Sequence, residues 1–258
     1  MSAVEICSAD IWGQLLNHEV VARVRGVMRE MEGCVVEVAD VARAEERGTG
    51  RRPSEGKSRD SLASTGVVWE ACDSVIDLES LDVGGLALRR AEVYRDMISD
   101  AIEELKEWGE DVYDEYEEDD AASDGEDVED MFAAANKMPK DNAELRQLLE
   151  DSVGKLKKIN MLYTAISKRR LKTFGPAAAR QVVHVKTMDE LIEKLKQLPE
   201  MIDELANSFY ELDEDEAKAQ SMAVVGEAEE AIKLVKLSWE GKEDEFTAWS
   251  SKWIEVVK

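Results

Sequence analysis

The chain reads as an all-α protein: two packed helical bundles joined by an acidic linker. Three observations predict this. Proline and glycine are sparse, 4 and 15 in 258 residues, too few for the many turns of an all-β chain. Alanine, glutamate, leucine and lysine dominate, which is helix-forming composition. Apolar residues recur at threes and fours through most of the sequence, and no segment alternates as a strand would.

The elements follow in order. Residues 10–47 form a first long helix, with Trp12, Leu15, Leu16, Val20, Val24, Val27, Met31, Val35, Val38 and Val41 as its core stripe. Residues 48–59, GTGRRPSEGKSR, read as a loop. Asp60 or Ser61 caps the next helix, which places Leu62, Trp69, Cys72 and Ile76 on one face, with Val68 and Val75 beside them. Gly66 would mark a close helix–helix approach. A helix over about 83–114 carries Tyr94, Ile98, Ala101, Leu105, Trp108 and Val112 at bundle spacing. After the linker, a stripe of Leu145, Leu149, Leu156, Ile159, Tyr163 and Ile166 runs through 141–172. Residues 187–212 hold the strongest heptad run, with Pro199 expected to kink or split it. Two further helices carry Met222, Val225, Ile232, Val235 and Trp239, then Phe246, Trp249, Trp253 and Val256. The predicted organisation is an incomplete N-terminal bundle over 1–112, a linker over 113–138 and a C-terminal bundle over 139–258.

Charge restricts the partners. The net charge of −25 disfavours nucleic acid and anionic membranes and favours basic proteins. Residues 110–130 carry 13 carboxylates and no basic residue, so self-repulsion predicts a disordered segment. Asp119, Asp120, Asp124, Glu126, Asp127, Glu129 and Asp130 are its candidate partner-binding residues. The apolar pair Met131-Phe132 closes it. The spacing is not that of a calcium loop, so no metal site is expected. Residues 140–186 reverse the sign, with 11 basic and 4 acidic residues, read as a solvated helix face.

No catalytic constellation stands out. Cys72 has no base beside it in sequence, and the two histidines, His18 and His184, lie elsewhere in the chain. Cys72 and Trp69 therefore read as core residues, and Trp69→Ala is expected to cost about 3–5 kcal/mol. Nucleotide-binding and zinc-protease motifs are absent, as is any 18-residue apolar run. No enzyme activity and no cofactor are expected.

STGVVWEACD (64–73) resembles a signature of the GCIP, or cyclin-D-interacting, family. YRDMISDAIEELKEWGED (94–111) is similar to that family's amphipathic helix, and the tract ending DVEDMF (127–132) to its acidic linker. The resemblance implies two bundles of the talin and vinculin five-helix type and no cofactor. It implies binding of D-type cyclins and helix-loop-helix regulators, a restraining role in cell-cycle progression, and residence in nucleus and cytoplasm. Members extend further at the N-terminus. The abrupt start MSAVEIC fits an upstream start and predicts exposed stripe residues such as Leu15, Val24 and Val27. Two other readings keep the same fold: an acidic chaperone or histone-type binder acting through 110–130, and a cytoskeletal module.

Overall fold

A computed structural model describes residues 8–46, 61–113 and 137–258. Its helices are α1 (Ala9–Trp12), α2 (Gln14–Glu46), α3 (Ser61–Glu110), α4 (Ala143–Ile166), α5 (Pro176–Ala179), α6 (Val182–Tyr210), α7 (Glu214–Leu234) and α8 (Glu245–Val257). A π-helical turn, Ser167–Leu171, prolongs α4. Two-residue strands β1 (Val112–Tyr113) and β2 (Met138–Pro139) pair in parallel, Val112 opposite Met138. The fold is all-α, as the periodicity predicts.

One core unites the second half of α3 with α4, α6, α7 and α8. Its floor is α6, where Val185, Met188, Leu191, Leu195, Leu198, Ile202, Leu205 and Phe209 are all buried. The expected stripes of α4 and α6 are the observed ones. Core packing crosses residue 112, because Val83, Ala87, Ala91, Ile98 and Leu105 of α3 join the C-terminal helices.

Pro199 does not split α6, which runs unbroken from Val182 to Tyr210. Proline lacks the N–H that would bond the carbonyl four residues back, at Leu195. The buried Tyr163 hydroxyl donates to that carbonyl instead. The defect of one helix thus becomes a polar contact with another. Burial holds the Tyr163 phenol far above its ordinary range, so it remains a donor.

Arg170 organises the other end. Only 1% exposed, it donates through Nε to Val235 O at 2.6 Å and through Nη2 to Lys236 O at 3.0 Å. Its guanidinium forks onto Asp244, Nη1 to Oδ2 at 2.8 Å and Nη2 to Oδ1 at 3.0 Å. It also lies over the Phe246 ring, 4.4 Å from the centroid. Asp244 in turn caps α8: its Oδ1 accepts from Thr247 N, and Thr247 Oγ1 accepts from Asp244 N. The π turn turns Arg170 into this site while Lys168 and Arg169 stay exposed.

Two predictions test these contacts. Tyr163→Phe leaves the Leu195 carbonyl unpaired and should cost about 1–3 kcal/mol in urea denaturation. The same change in a Pro199→Ala background, where an N–H is restored, should cost clearly less. Asp244 is held well below the usual carboxylate range, chiefly by the Arg170 hydrogen bond. Its stabilising contribution is therefore present above the unfolded value, 3.8, and is lost as pH falls towards the lower folded value. Between about pH 5 and about pH 2 the wild type should lose more stability than Asp244→Asn, measured by urea midpoints.

Candidate protein-interaction surface

The residues expected in the first bundle build a different object. Beyond the core, α2 and the first half of α3 pair as a two-helix arm. No side chain of residues 14–43 is buried, and in 63–82 only Ser64 is.

The arm is anchored at its base. Helix periodicity continues through residue 13, yet α1 stops there, because Gly13 takes φ 89°. A Cβ at this position would lie 2.7 Å from Val185 Cγ1, so only glycine fits. The cap of α2 comes from a distant helix. Asp189 of α6 accepts from Gln14 N at 2.7 Å and from Leu15 N at 3.0 Å. Leu15 and Leu16 then pack on the common core.

At the other root, α3 breaks at Asp82, which leaves helical geometry with φ 47° and ψ −177°. Its Oδ1 accepts from Gly85 N at 2.8 Å, capping the segment that enters the core. Gly84 beside it meets the 171–175 turn. A Cβ there would lie 2.8 Å from Phe174 O.

Polar ties hold the two arm helices together. Glu19 receives Arg23 Nε at 2.8 Å and Arg90 Nη2 at 2.7 Å. Burial alone raises the Glu19 carboxyl, and these hydrogen bonds outweigh it, so the group sits below its ordinary range. Arg23 also donates to the Ser74 carbonyl, and Ser64 to Glu37.

Both arm helices expose apolar side chains. On α2, Met28, Met31, Val35 and Val38 follow a three–four–three spacing, and all are exposed. On α3, Trp69 and Ile76, seven residues apart, are 70% and 65% exposed. Several sequence expectations are thereby corrected. Trp69 is not a core residue, and Cys72 is only half-buried. The inner face of this segment passes through Val67, Val68, Ala71, Cys72, Val75 and Leu78. Met31, Val35, Val38 and Val41 lie outside rather than in a core, while Leu15, expected to be exposed, packs on one. A Cβ at Gly66 would meet nothing within 4 Å, so this glycine marks no close approach. In the C-terminal half, Met222 and Val256 are exposed where the periodicity places them inside.

The acidic candidates Asp119, Asp120, Asp124, Glu126, Asp127, Glu129 and Asp130, with Met131-Phe132 and the loop at 48–59, lie outside the described residues. Among the described residues no group of acidic, histidine or cysteine side chains is arranged to hold a metal ion. Among them, too, no helix is long and apolar enough to cross a membrane.

An anchored helical arm with exposed apolar side chains is the kind of surface at which proteins associate. The comparisons point to one family. Residues 1–111 match the model described as Grap2 and cyclin-D-interacting, N-terminal. The chain is 30% identical over 158 residues to the cyclin-D1-binding protein 1 homolog of Xenopus laevis, covering 59% of this chain and 43% of that protein. It is 26% identical over 255 residues to an uncharacterized protein of Schizosaccharomyces pombe, covering 99% of this chain and 70% of that protein. No solved structure matches. Residues 1–111 thus match the cyclin-D-interacting family that the signature at 64–73 resembles. The family is described by what its members bind, not by a reaction.

The base of the arm yields a test. Asp189→Ala removes the cap of α2 and should cost about 1 kcal/mol. Amide exchange over residues 14–20 should accelerate in this variant, while exchange in α4 stays unchanged.

Proposed function

We propose that this protein is a non-catalytic adaptor that receives a partner helix on the open seam of its N-terminal arm. One observation carries the reading: the segment that matches the family, residues 1–111, includes the whole arm, whose apolar seam the rest of the described chain leaves uncovered. By family, the partners are D-type cyclin-like proteins or helix-loop-helix regulators, and the outcome is restraint of cell-cycle progression in nucleus and cytoplasm. The physics suits a helical ligand. Met28, Met31, Val35 and Val38 offer knobs at coiled-coil spacing, and Trp69 offers a large anchor.

The acidic tract has a separate role in this scheme. Its 13 carboxylates raise the encounter rate of basic partners at low salt, without supplying the apolar contact. The chaperone-like alternative makes the tract itself the binding element.

Binding assays with a recombinant D-type cyclin and a helix-loop-helix domain separate the two. Trp69→Ala and Met31→Asp should leave stability within about 0.5 kcal/mol, since both sites are exposed. They should weaken binding at least tenfold, while deletion of 110–130 mainly slows association. Binding that survives both arm variants and disappears with the deletion would transfer the function to the tract.

A further inference from the structure

A second surface, lined by none of the arm residues 14–82, is built for a ligand of the opposite charge. The outward face of α4 between Lys157 and Lys168 forms the floor of a groove. One wall is α3 at Ile102 and Lys106, and the other is α8 at Phe246 and Trp249. Two clefts, about 510 Å³ and 280 Å³, meet at Met161 and Thr164, which line both. The floor spans twelve residues, eleven steps of helical rise or roughly 16 Å, about three turns.

Chemistry is ordered along the groove. Its middle is apolar: Met161 is 60% exposed, Ala165 lies beside it, and the partly buried Trp249 packs with the buried Phe246. Cations stand at both ends, Lys106 and Lys157 at one and Lys168 and Arg169 at the other. Arg169 is held by Glu245 at 2.5 Å. Lys106, Lys157 and Lys168 have no ion-pair partner among the described residues. Glu103 is the remaining acid of the lining.

This arrangement depends on the buried arginine. Arg170 leaves the basic run through the π turn and fixes Asp244 and Phe246, hence the start of α8. The neighbours Lys168 and Arg169 are left on the groove's rim.

We propose that this groove binds a short amphipathic helix of a partner protein, with a bulky apolar anchor over Met161 and Trp249 and acidic side chains at both ends. Charge complementarity selects the occupant. A cationic rim in a chain of net charge −25 has a local purpose that the overall charge opposes. The overall repulsion is screened beyond about 10 Å at 0.1 M salt, so at contact the rim decides. Nucleic acid fits poorly, because the middle of the groove is apolar and the rim has few cations to follow a phosphate backbone.

The test is selection of a random 16-residue peptide display library on the purified full chain, followed by fluorescence polarisation with the recovered peptides. The expected peptides combine Asp or Glu with Leu, Phe or Trp at helical spacing. Their affinity should fall at least tenfold on Met161→Glu and on the double variant Lys157→Glu/Lys168→Glu. Trp69→Ala in the arm should leave it unchanged. Circular dichroism should show both groove variants folded, since the substituted side chains are exposed. Recovery of basic peptides, of peptides indifferent to Met161→Glu, or of no saturable binder overturns the proposal.

Discussion

The buried Arg170 is the constraint on which the C-terminal half of the molecule depends. A guanidinium cannot shed its proton, so burial demands that its donors be satisfied. Here two carbonyls at the end of α7, the carbonyl of Arg169 and both oxygens of Asp244 meet that demand. The consequence is geometric. The last turn of α4, the exit of α7 and the cap of α8 cannot move independently. Trp239 Nε1 donates to the Arg170 carbonyl at 2.8 Å, and Trp253 Nε1 to the Lys158 carbonyl at 2.9 Å, so α8 is held along the length of α4. Such a site adds position more than net stability, because the cost of desolvating the ions offsets much of their attraction.

The N-terminal arm follows the opposite rule. Its two helices have caps and ion pairs but no core. A pair of helices without a buried face gains little from propensity alone, since helical stability in proteins comes mainly from packing. The arm is held at its roots by Asp189 and by the common core beneath Val83, and its apolar seam remains open. The molecule thus combines a rigid body with an unfinished surface. An added helix would gain there the burial that the chain's own helices lack. That is why the interaction reading rests on the arm rather than on charge alone.

The sequence carried the core well and the arm poorly, for a physical reason. Periodicity reports that a helix has an apolar face, not what covers it. The stripes at 145–166 and 191–209 are covered by α3 and α7 and were legible. The stripe at Met31, Val35 and Val38 has the same spacing and faces solvent. The break at Gly13 was hidden because its cap, Asp189, stands 175 residues away in sequence. Pro199 signalled a kink, but its compensation by Tyr163 is tertiary and leaves no local trace. Arg170 was indistinguishable from Lys168 and Arg169 until the π turn separated them. The family signature at 64–73 was legible as a motif, while the exposure of its tryptophan was not. The acidic candidates at 119–130 were legible from charge alone and lie outside the described residues.

The central claim is that the seam on the arm is uncovered in the free chain and covered in the complex. Hydrogen–deuterium exchange, read by mass spectrometry with and without a bound D-type cyclin, addresses it most directly. The account predicts fast exchange over residues 20–43 and 63–81 in the free chain, slow exchange in α4 and α6, and protection of the arm on binding. An arm already as protected as α6, or protection on binding that falls elsewhere and spares the arm, would contradict it.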